Sequence, residues 1–141
     1  MRIGLGLAAV LVAVSAVGPS TPGVAAGGFD GKWNVVVACA DYGDVKGYTW
    51  RFSARVRGGE LVGKYVNPSD PLNYGELTGA IGAGGDALLT MRGSTGPSEY
   101  NVHHEAPHTK IDYTASAHFD AQSGSGKRLI QRPCELSFSK N

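Results

Sequence analysis

Apolar and polar residues alternate strictly along much of this sequence. In residues 110–120 every second position is apolar, and the positions between carry polar or charged side chains. Residues 47–57 repeat this pattern, with arginines at positions 51, 55 and 57 on the polar side. An alternation of period two is typical of a β-strand that buries one face and exposes the other. The chain is therefore expected to consist of half-buried strands.

The same criterion predicts eight strands and no helix between residues 27 and 141. The predicted strands cover residues 32–39, 47–57, 60–66, 74–81, 86–93, 99–103, 110–120 and 127–139. Gly58-Gly59 between two of them indicates a tight hairpin turn, and residues 122–126 are predicted to form another turn. Eight antiparallel strands with one apolar face each must either close into a barrel or pack as the two layers of a sandwich.

The first 26 residues have the organisation of a secretory signal peptide. A positive start at Arg2 precedes the apolar residues 3–17, and a segment with two prolines leads to Val24-Ala25-Ala26, whose small side chains suit a signal peptidase. A membrane anchor is the alternative, but residues 3–17 fall short of the ~20 apolar residues of a spanning helix. We therefore predict an exported protein, periplasmic or secreted, whose mature form is a single domain without a membrane span.

Two cysteines decide between the barrel and the sandwich. In an exported protein an even number of cysteines predicts a disulfide, and Cys39 and Cys134 form the one possible pair. They lie in the first and the last predicted strands, which are neighbours in a closed up-and-down barrel. We therefore predict an all-β fold for residues 27–141: an eight-stranded antiparallel up-and-down barrel closed by one disulfide.

Three segments resemble the opening strands of the avidin and streptavidin family. They are Gly31-Lys32-Trp33, Gly59-Glu60-Leu61-Val62-Gly63-Lys64-Tyr65 and Leu77-Thr78-Gly79, which correspond to G-x-W, L-x-G-x-Y and L-T-G strands. The resemblance covers residues 31–80 and implies a small barrel of the avidin or lipocalin type. Biotin binding is not predicted, because residues 35–39 replace the family's Asn and Ser contacts and Trp33 and Trp50 are the only tryptophans. Residues 118–134 resemble uncharacterised exported bacterial domains, which imply no function.

A histidine cluster is the most chemically suggestive motif. His103, His104, Glu105 and His108 lie within six residues, and imidazole and carboxylate ligands suit Zn²⁺ or Cu²⁺. Adjacent strand residues point to opposite faces, however, and Pro107 prevents a helix that would align the second and third histidines. We therefore expect a polar loop at the rim of the barrel and predict no metal site.

The sequence offers no catalytic motif in the backbone context that its chemistry requires. It lacks the G-x-S-x-G pattern of hydrolases. His104-Glu105-Ala106-Pro107-His108 has the letters of the H-E-x-x-H pattern of metalloproteases, but that pattern needs a helix, which Pro107 prevents. The carboxylates are not expected to share one pocket. Residues 124–128 (GSGKR) miss the first Gly and the Ser or Thr of a phosphate-binding loop. The formal net charge of +1 gives no field that would attract nucleic acid. We predict a protein that is not an enzyme, needs no cofactor and binds no nucleic acid.

Aromatic residues on the predicted inner faces give the functional prediction. An eight-stranded barrel is just wide enough to be filled by side chains or to hold one small ligand. The predicted ligand-binding residues are Tyr48, Trp50, Tyr65 and Tyr113, at one open end of the barrel. Their rings suit a small apolar or aromatic ligand, and their polar tips need hydrogen-bond partners.

A protein-interaction module is the alternative function. An inhibitor of an exported protease or an envelope-associated subunit would also suit a small disulfide-closed barrel. Residues 67–73, which include two prolines, and the loop around Pro107 would then form the contact surface. The oligomeric state is left open.

Overall fold

The alternating segments form the predicted closed barrel. The computed structural model describes residues 13–18 and 28–141. The strands are β1 (Gly31–Cys39), β2 (Tyr48–Arg57), β3 (Glu60–Asn67), β4 (Asp70–Ile81), β5 (Asp86–Ser94), β6 (Lys110–Phe119), β7 (Ser123–Arg128) and β8 (Cys134–Lys140). Each strand pairs antiparallel with the next, and β8 pairs with β1. Closure leaves no unpaired sheet edge, so the predicted fold class is confirmed.

Two strand assignments made from the sequence are wrong, and their errors cancel in the count. Residues 99–103 lie in two 3₁₀ turns, Ser98–Tyr100 and Val102–His104, and His103 and His104 adopt left-handed backbone angles of φ 58° and 51°, which a strand does not contain. The predicted strand 127–139 is divided between β7 and β8, which are separated by residues 129–133.

The predicted turn at residues 122–126 is also wrong, because most of it belongs to β7. Gly124 and Gly126 occupy the inward positions of this strand, where Phe119 and Ala117 fill the space that side chains would need. A Cβ at either glycine would come within 2.9 Å of those side chains. β7 thus lacks the apolar residues by which the other strands are recognised.

An aromatic cluster closes one end of the barrel. Trp33 is fully buried, and its indole N–H donates a 2.8 Å hydrogen bond to the carbonyl of Phe29. The ring of Phe119 lies 5.4 Å from the ring of Trp33 and 4.5 Å from that of Phe138. These contacts fill the interior at the end where β1 begins and β8 finishes. We call this the packed end.

The opposite end carries the longer connections, which follow β1, β5 and β7, and the disulfide. Cys39 and Cys134 are direct partners in the register of β1 and β8, with Cα atoms 4.1 Å apart. The predicted disulfide is therefore confirmed. The signal-peptide prediction falls mainly on residues outside the described part of the chain. Residues 13–18 are described as irregular and exposed.

Candidate ligand-binding site

A cavity of about 790 Å³ occupies the open end of the barrel. All four residues predicted from the sequence line it: Tyr48, Trp50, Tyr65 and Tyr113. Ligand pockets for small molecules commonly measure ~300–1,000 Å³. The cavity is therefore large enough for a compact organic molecule, and it lies beneath the loops that follow β1, β3, β5 and β7.

Three of these aromatic side chains form one wall of the cavity. The rings of Trp50 and Tyr65 stack with centroids 4.5 Å apart and planes inclined by 13°, and Tyr48 lies 5.2 Å from Trp50. Gly75 on β4 makes room for this wall, since a Cβ at that position would overlap the indole ring of Trp50. The stacked pair gives an apolar surface against which another ring could pack.

Tyr113 and Arg128 form a second group on the neighbouring inner surface of β6 and β7. The guanidinium of Arg128 lies over the Tyr113 ring, 4.0 Å from its centroid, and one of its terminal nitrogens donates to the Gln131 side chain at 2.9 Å. Burial raises the pKa of the Tyr113 phenol far above its usual value and lowers that of Arg128. The phenol is therefore neutral near pH 7 and keeps its proton as a hydrogen-bond donor.

Arg132 is a buried cation that ties the loops of the open end together. Its side chain donates to the backbone carbonyls of Tyr100, Ala40 and Lys46 at 2.7, 2.7 and 3.0 Å. These carbonyls belong to the β5–β6 and β1–β2 connections. The guanidinium also lies 5.1 Å from the ring centre of Tyr48. Arg132 thus fixes the mouth of the cavity and brings a positive charge beside it.

Two buried asparagines complete the polar part of the lining. The Asn101 amide donates to the carbonyls of Gly96 and Glu105, both at 2.9 Å, and so holds the β5–β6 connection in shape. Asn73 on β4 packs against Gly96, where a Cβ would collide with its amide. The side-chain oxygen of Asn73 is buried without a hydrogen-bond partner.

The sequence prediction found the aromatic residues and missed Arg128, Arg132 and Asn73. Arg128 follows Gly124 and Gly126 at intervals of two, so it shares the inward face of β7, but those residues were assigned to a turn. Arg132 stands two residues before the buried Cys134, so an alternation of period two would place both on the inward face. Asn73 was assigned to a loop because the strand was predicted to start at Tyr74, whereas β4 begins four residues earlier, at Asp70.

The three clustered histidines separate in the structure. His104 Nε2 lies 2.8 Å from an Asp44 carboxylate oxygen, and His108 Nε2 lies 2.8 Å from one of Asp70. Within residues 13–18 and 28–141, no group of three or more His, Cys, Asp or Glu side chains is placed to hold a metal ion. His104 and His108 instead form hydrogen bonds that link neighbouring segments of the rim.

Comparisons with known proteins identify no relative of this chain. No protein-family model, curated protein or solved structure matches the chain, so the resemblance to avidins stays a prediction. In the described part of the chain, none of the helical segments has the length and apolar character needed to cross a membrane. Function must therefore be argued from the cavity.

Proposed function

We propose that this protein is a non-enzymatic, exported β-barrel that binds a small apolar or aromatic ligand at its open end. The observation that carries the proposal is the stacked pair of Trp50 and Tyr65 in the wall of a cavity of about 790 Å³. A barrel of eight strands can be filled completely by side chains, yet only the packed end is filled in this way. The remaining volume suits one small molecule.

Export is part of the same proposal. The Cys39–Cys134 disulfide suits an oxidising compartment, because structural disulfides are rare in the reducing cytosol. Three acidic residues line the cavity: Glu99, Glu105 and Asp112. Glu99 pairs with Lys46 at 2.8 Å, and Asp112 lies 3.9 Å from Lys110. Two of the three carboxylates are thus engaged with cations at the rim, which suits a binding role better than catalysis.

Native mass spectrometry of the protein purified from its own exported fraction tests the proposal directly. We expect a retained small-molecule adduct whose mass identifies its class. N-phenyl-1-naphthylamine, whose fluorescence rises in apolar sites, provides a second measurement on ligand-free protein. Tyr65→Leu should weaken its binding by roughly three- to tenfold, because one stacking partner is lost.

Tyr74→Leu is the matched control for this measurement. Tyr74 lies on the outer surface of β4, with the Lys64 ammonium 4.9 Å from its ring, and does not line the cavity. Its replacement should leave probe binding unchanged. A bare protein in the mass spectrum together with no fluorescence response from the probe would contradict the proposed function.

A protein-interaction module is the second candidate, and one contact favours it. The hydrogen bond between His108 and Asp70, at 2.8 Å, brings the loop around Pro107 beside the β3–β4 turn. The two candidate contact segments therefore form one continuous rim. Cross-linking in an envelope extract through a photoreactive residue at Ser69, exposed on this rim, should give one stoichiometric protein adduct. The same residue at Ser53, on the outer face of β2, should give none.

A further inference from the structure

All the orphaned polar side chains of the described barrel interior lie around one cavity. In residues 13–18 and 28–141, four buried side-chain atoms have no hydrogen-bond partner. They are Asn73 Oδ1, Tyr113 Oη, Arg128 Nε and Arg132 Nε. Each belongs to a residue that lines the open-end cavity. Buried polar groups in native proteins are nearly always paired, so this concentration points to partners that a ligand supplies.

The two charged residues among these four, Arg128 and Arg132, are both cations. Among the described residues, no carboxylate lies within 4.0 Å of the guanidinium of Arg128 or Arg132. The hydrogen bonds that both arginines make go to neutral oxygens. Buried charges are usually paired, because an unpaired charge is costly to remove from water. An anion in the cavity would remove this imbalance.

The lining offers one well-formed place for such an anion. Arg132 already donates three hydrogen bonds to backbone carbonyls, whereas Arg128 donates only one side-chain bond, to Gln131. Arg128 also lies directly over the ring of Tyr113, whose hydroxyl is free to donate. One guanidinium with free donors and one hydroxyl match a singly charged acceptor better than a doubly charged one.

We propose that the ligand is an organic carboxylate whose ring packs against the stacked pair of Trp50 and Tyr65 while its acid group accepts hydrogen bonds from Arg128 and Tyr113. This inference rests on the proposed function and narrows its ligand class from apolar or aromatic molecules to aromatic acids. Arg132 contributes charge and holds the loops, and the unpartnered oxygen of Asn73 can accept from a donor elsewhere on the ligand.

Isothermal titration calorimetry with a matched series of naphthalenes tests this inference. The probes are 2-naphthoate, 2-naphthamide and 2-naphthyl phosphate, which share one ring system and differ in the head group. We expect 2-naphthoate to bind at least about tenfold more tightly than the amide, because charge-assisted hydrogen bonds replace neutral ones. The phosphate should bind more weakly than the carboxylate.

Variants identify the residues responsible. Arg128→Gln should reduce the preference for naphthoate over naphthamide to nearly onefold, whereas Arg55→Gln, an equal change of charge on the exposed face of β2, should preserve it. Tyr113→Phe should reduce the preference partially. Because this second variant removes only a buried hydroxyl, it tests the inference even where Arg128→Gln fails to fold, and thermal unfolding followed by circular dichroism identifies that case.

The outcomes separate the inference from the proposal beneath it. Equal affinities for naphthoate and naphthamide in the wild-type protein would overturn the carboxylate while supporting an aromatic pocket. Tighter binding of the phosphate would overturn the carboxylate in favour of a phosphate ester. Failure of all three naphthalenes and of N-phenyl-1-naphthylamine to bind would contradict both the carboxylate and the proposed function.

Discussion

At the scale of single residues, the hydroxyl of Tyr113 is expected to lower the stability of the ligand-free protein and to contribute to ligand binding. Its ring packs beneath Arg128, but its hydroxyl is buried without a partner. Leaving a buried polar group unpaired costs about 1–3 kcal/mol. Tyr113→Phe should therefore raise the free energy of unfolding of the ligand-free protein by about 1 kcal/mol, as measured by urea denaturation.

Tyr74→Phe is the control for this prediction, because the ring of Tyr74 lies on the outer surface of β4. Surface substitutions usually change stability by less than ~0.5 kcal/mol. A loss of stability in Tyr113→Phe would show that the hydroxyl has a partner in solution and would weaken the case for a ligand that supplies one.

The His104–Asp44 pair at the rim predicts a dependence on pH. A hydrogen bond and charge attraction from Asp44 raise the pKa of His104, and the same contact lowers the pKa of Asp44. Because the pKa of His104 is higher in the folded than in the unfolded protein, its protonated form stabilises the fold. This contribution is complete below the unfolded pKa of about 6.5 and is lost as pH rises through the folded pKa. The ionised carboxylate of Asp44 stabilises the fold at pH values above its unfolded pKa of 3.8, and this stabilisation is lost as pH falls through the lower folded pKa.

Histidine titration by NMR measures this pair directly. Asp44→Asn should lower the pKa of His104 towards 6.5, because its hydrogen-bonded anion is removed. His118 is the internal reference, since its pKa is raised chiefly by the hydrogen bond to Asp86 and should not change in this variant. An unchanged His104 titration in Asp44→Asn would show that the 2.8 Å contact is not maintained in solution.

The candidate site was predictable from the sequence only in its aromatic half. Alternation placed Tyr48, Trp50, Tyr65 and Tyr113 on inner faces, because an aromatic residue within an alternating run belongs on the apolar side. Arg128 could not be placed by the same logic, since charged residues are expected in solvent. The inward position of Arg128 follows from the pairing of β7 with β6 and β8, and the local sequence pattern carries no information about that pairing.

At the scale of elements, β7 shows why alternation alone gave an incomplete strand map. Its inward glycines leave room for Phe119 and Ala117, so the strand contributes backbone hydrogen bonds without contributing apolar side chains. β7 overlaps a predicted strand only at residues 127–128, whereas each of the other seven strands is recognised by the apolar residues that it brings to the interior. Glycine in a strand often marks such a close approach, a signal that also resembles a turn.

Gly126 on β7 should consequently tolerate no side chain. A Cβ there would lie 2.8 Å from the Ser116 carbonyl oxygen and 2.9 Å from the Ala117 side chain. Gly126→Ala should lower the free energy of unfolding by about 1–3 kcal/mol, the usual range for overpacking. Urea denaturation measures the change, and Ser125→Ala on the exposed face of the same strand should have little effect. Equal stability of the two variants would mean that β7 can shift away from β6.

At the scale of the whole molecule, packing and cavity occupy opposite ends of one barrel. Trp33, Phe119 and Phe138 fill the packed end, where the fold is stabilised by burial. The open end combines a cavity with buried unpaired groups, which burial alone does not stabilise. The Cys39–Cys134 disulfide lies at the open end, where it joins β1 to β8 beside the loops that Arg132 holds.

Removal of this disulfide should therefore loosen one end before the other. The two cysteines are 95 residues apart, and closing a loop of that length is worth about 4–5 kcal/mol on the chain-entropy model. β1 and β8 also pair along Trp33–Cys39 and Cys134–Lys140, so the barrel is expected to fold without the covalent link. The Cys39→Ala/Cys134→Ala variant should show a lower unfolding temperature and weaker ligand binding.

The two tryptophans allow each end to be observed separately, because Trp33 lies in the packed end and Trp50 in the cavity wall. In the double cysteine variant, Trp33→Phe leaves Trp50 as the only tryptophan, and Trp50→Phe leaves Trp33. Acrylamide should quench Trp50 more strongly than in the disulfide-bonded protein, while Trp33 stays protected. Equal gains in quenching at both positions would instead mean that the ends open as one cooperative unit, and that the disulfide supports the whole barrel rather than the mouth of the cavity.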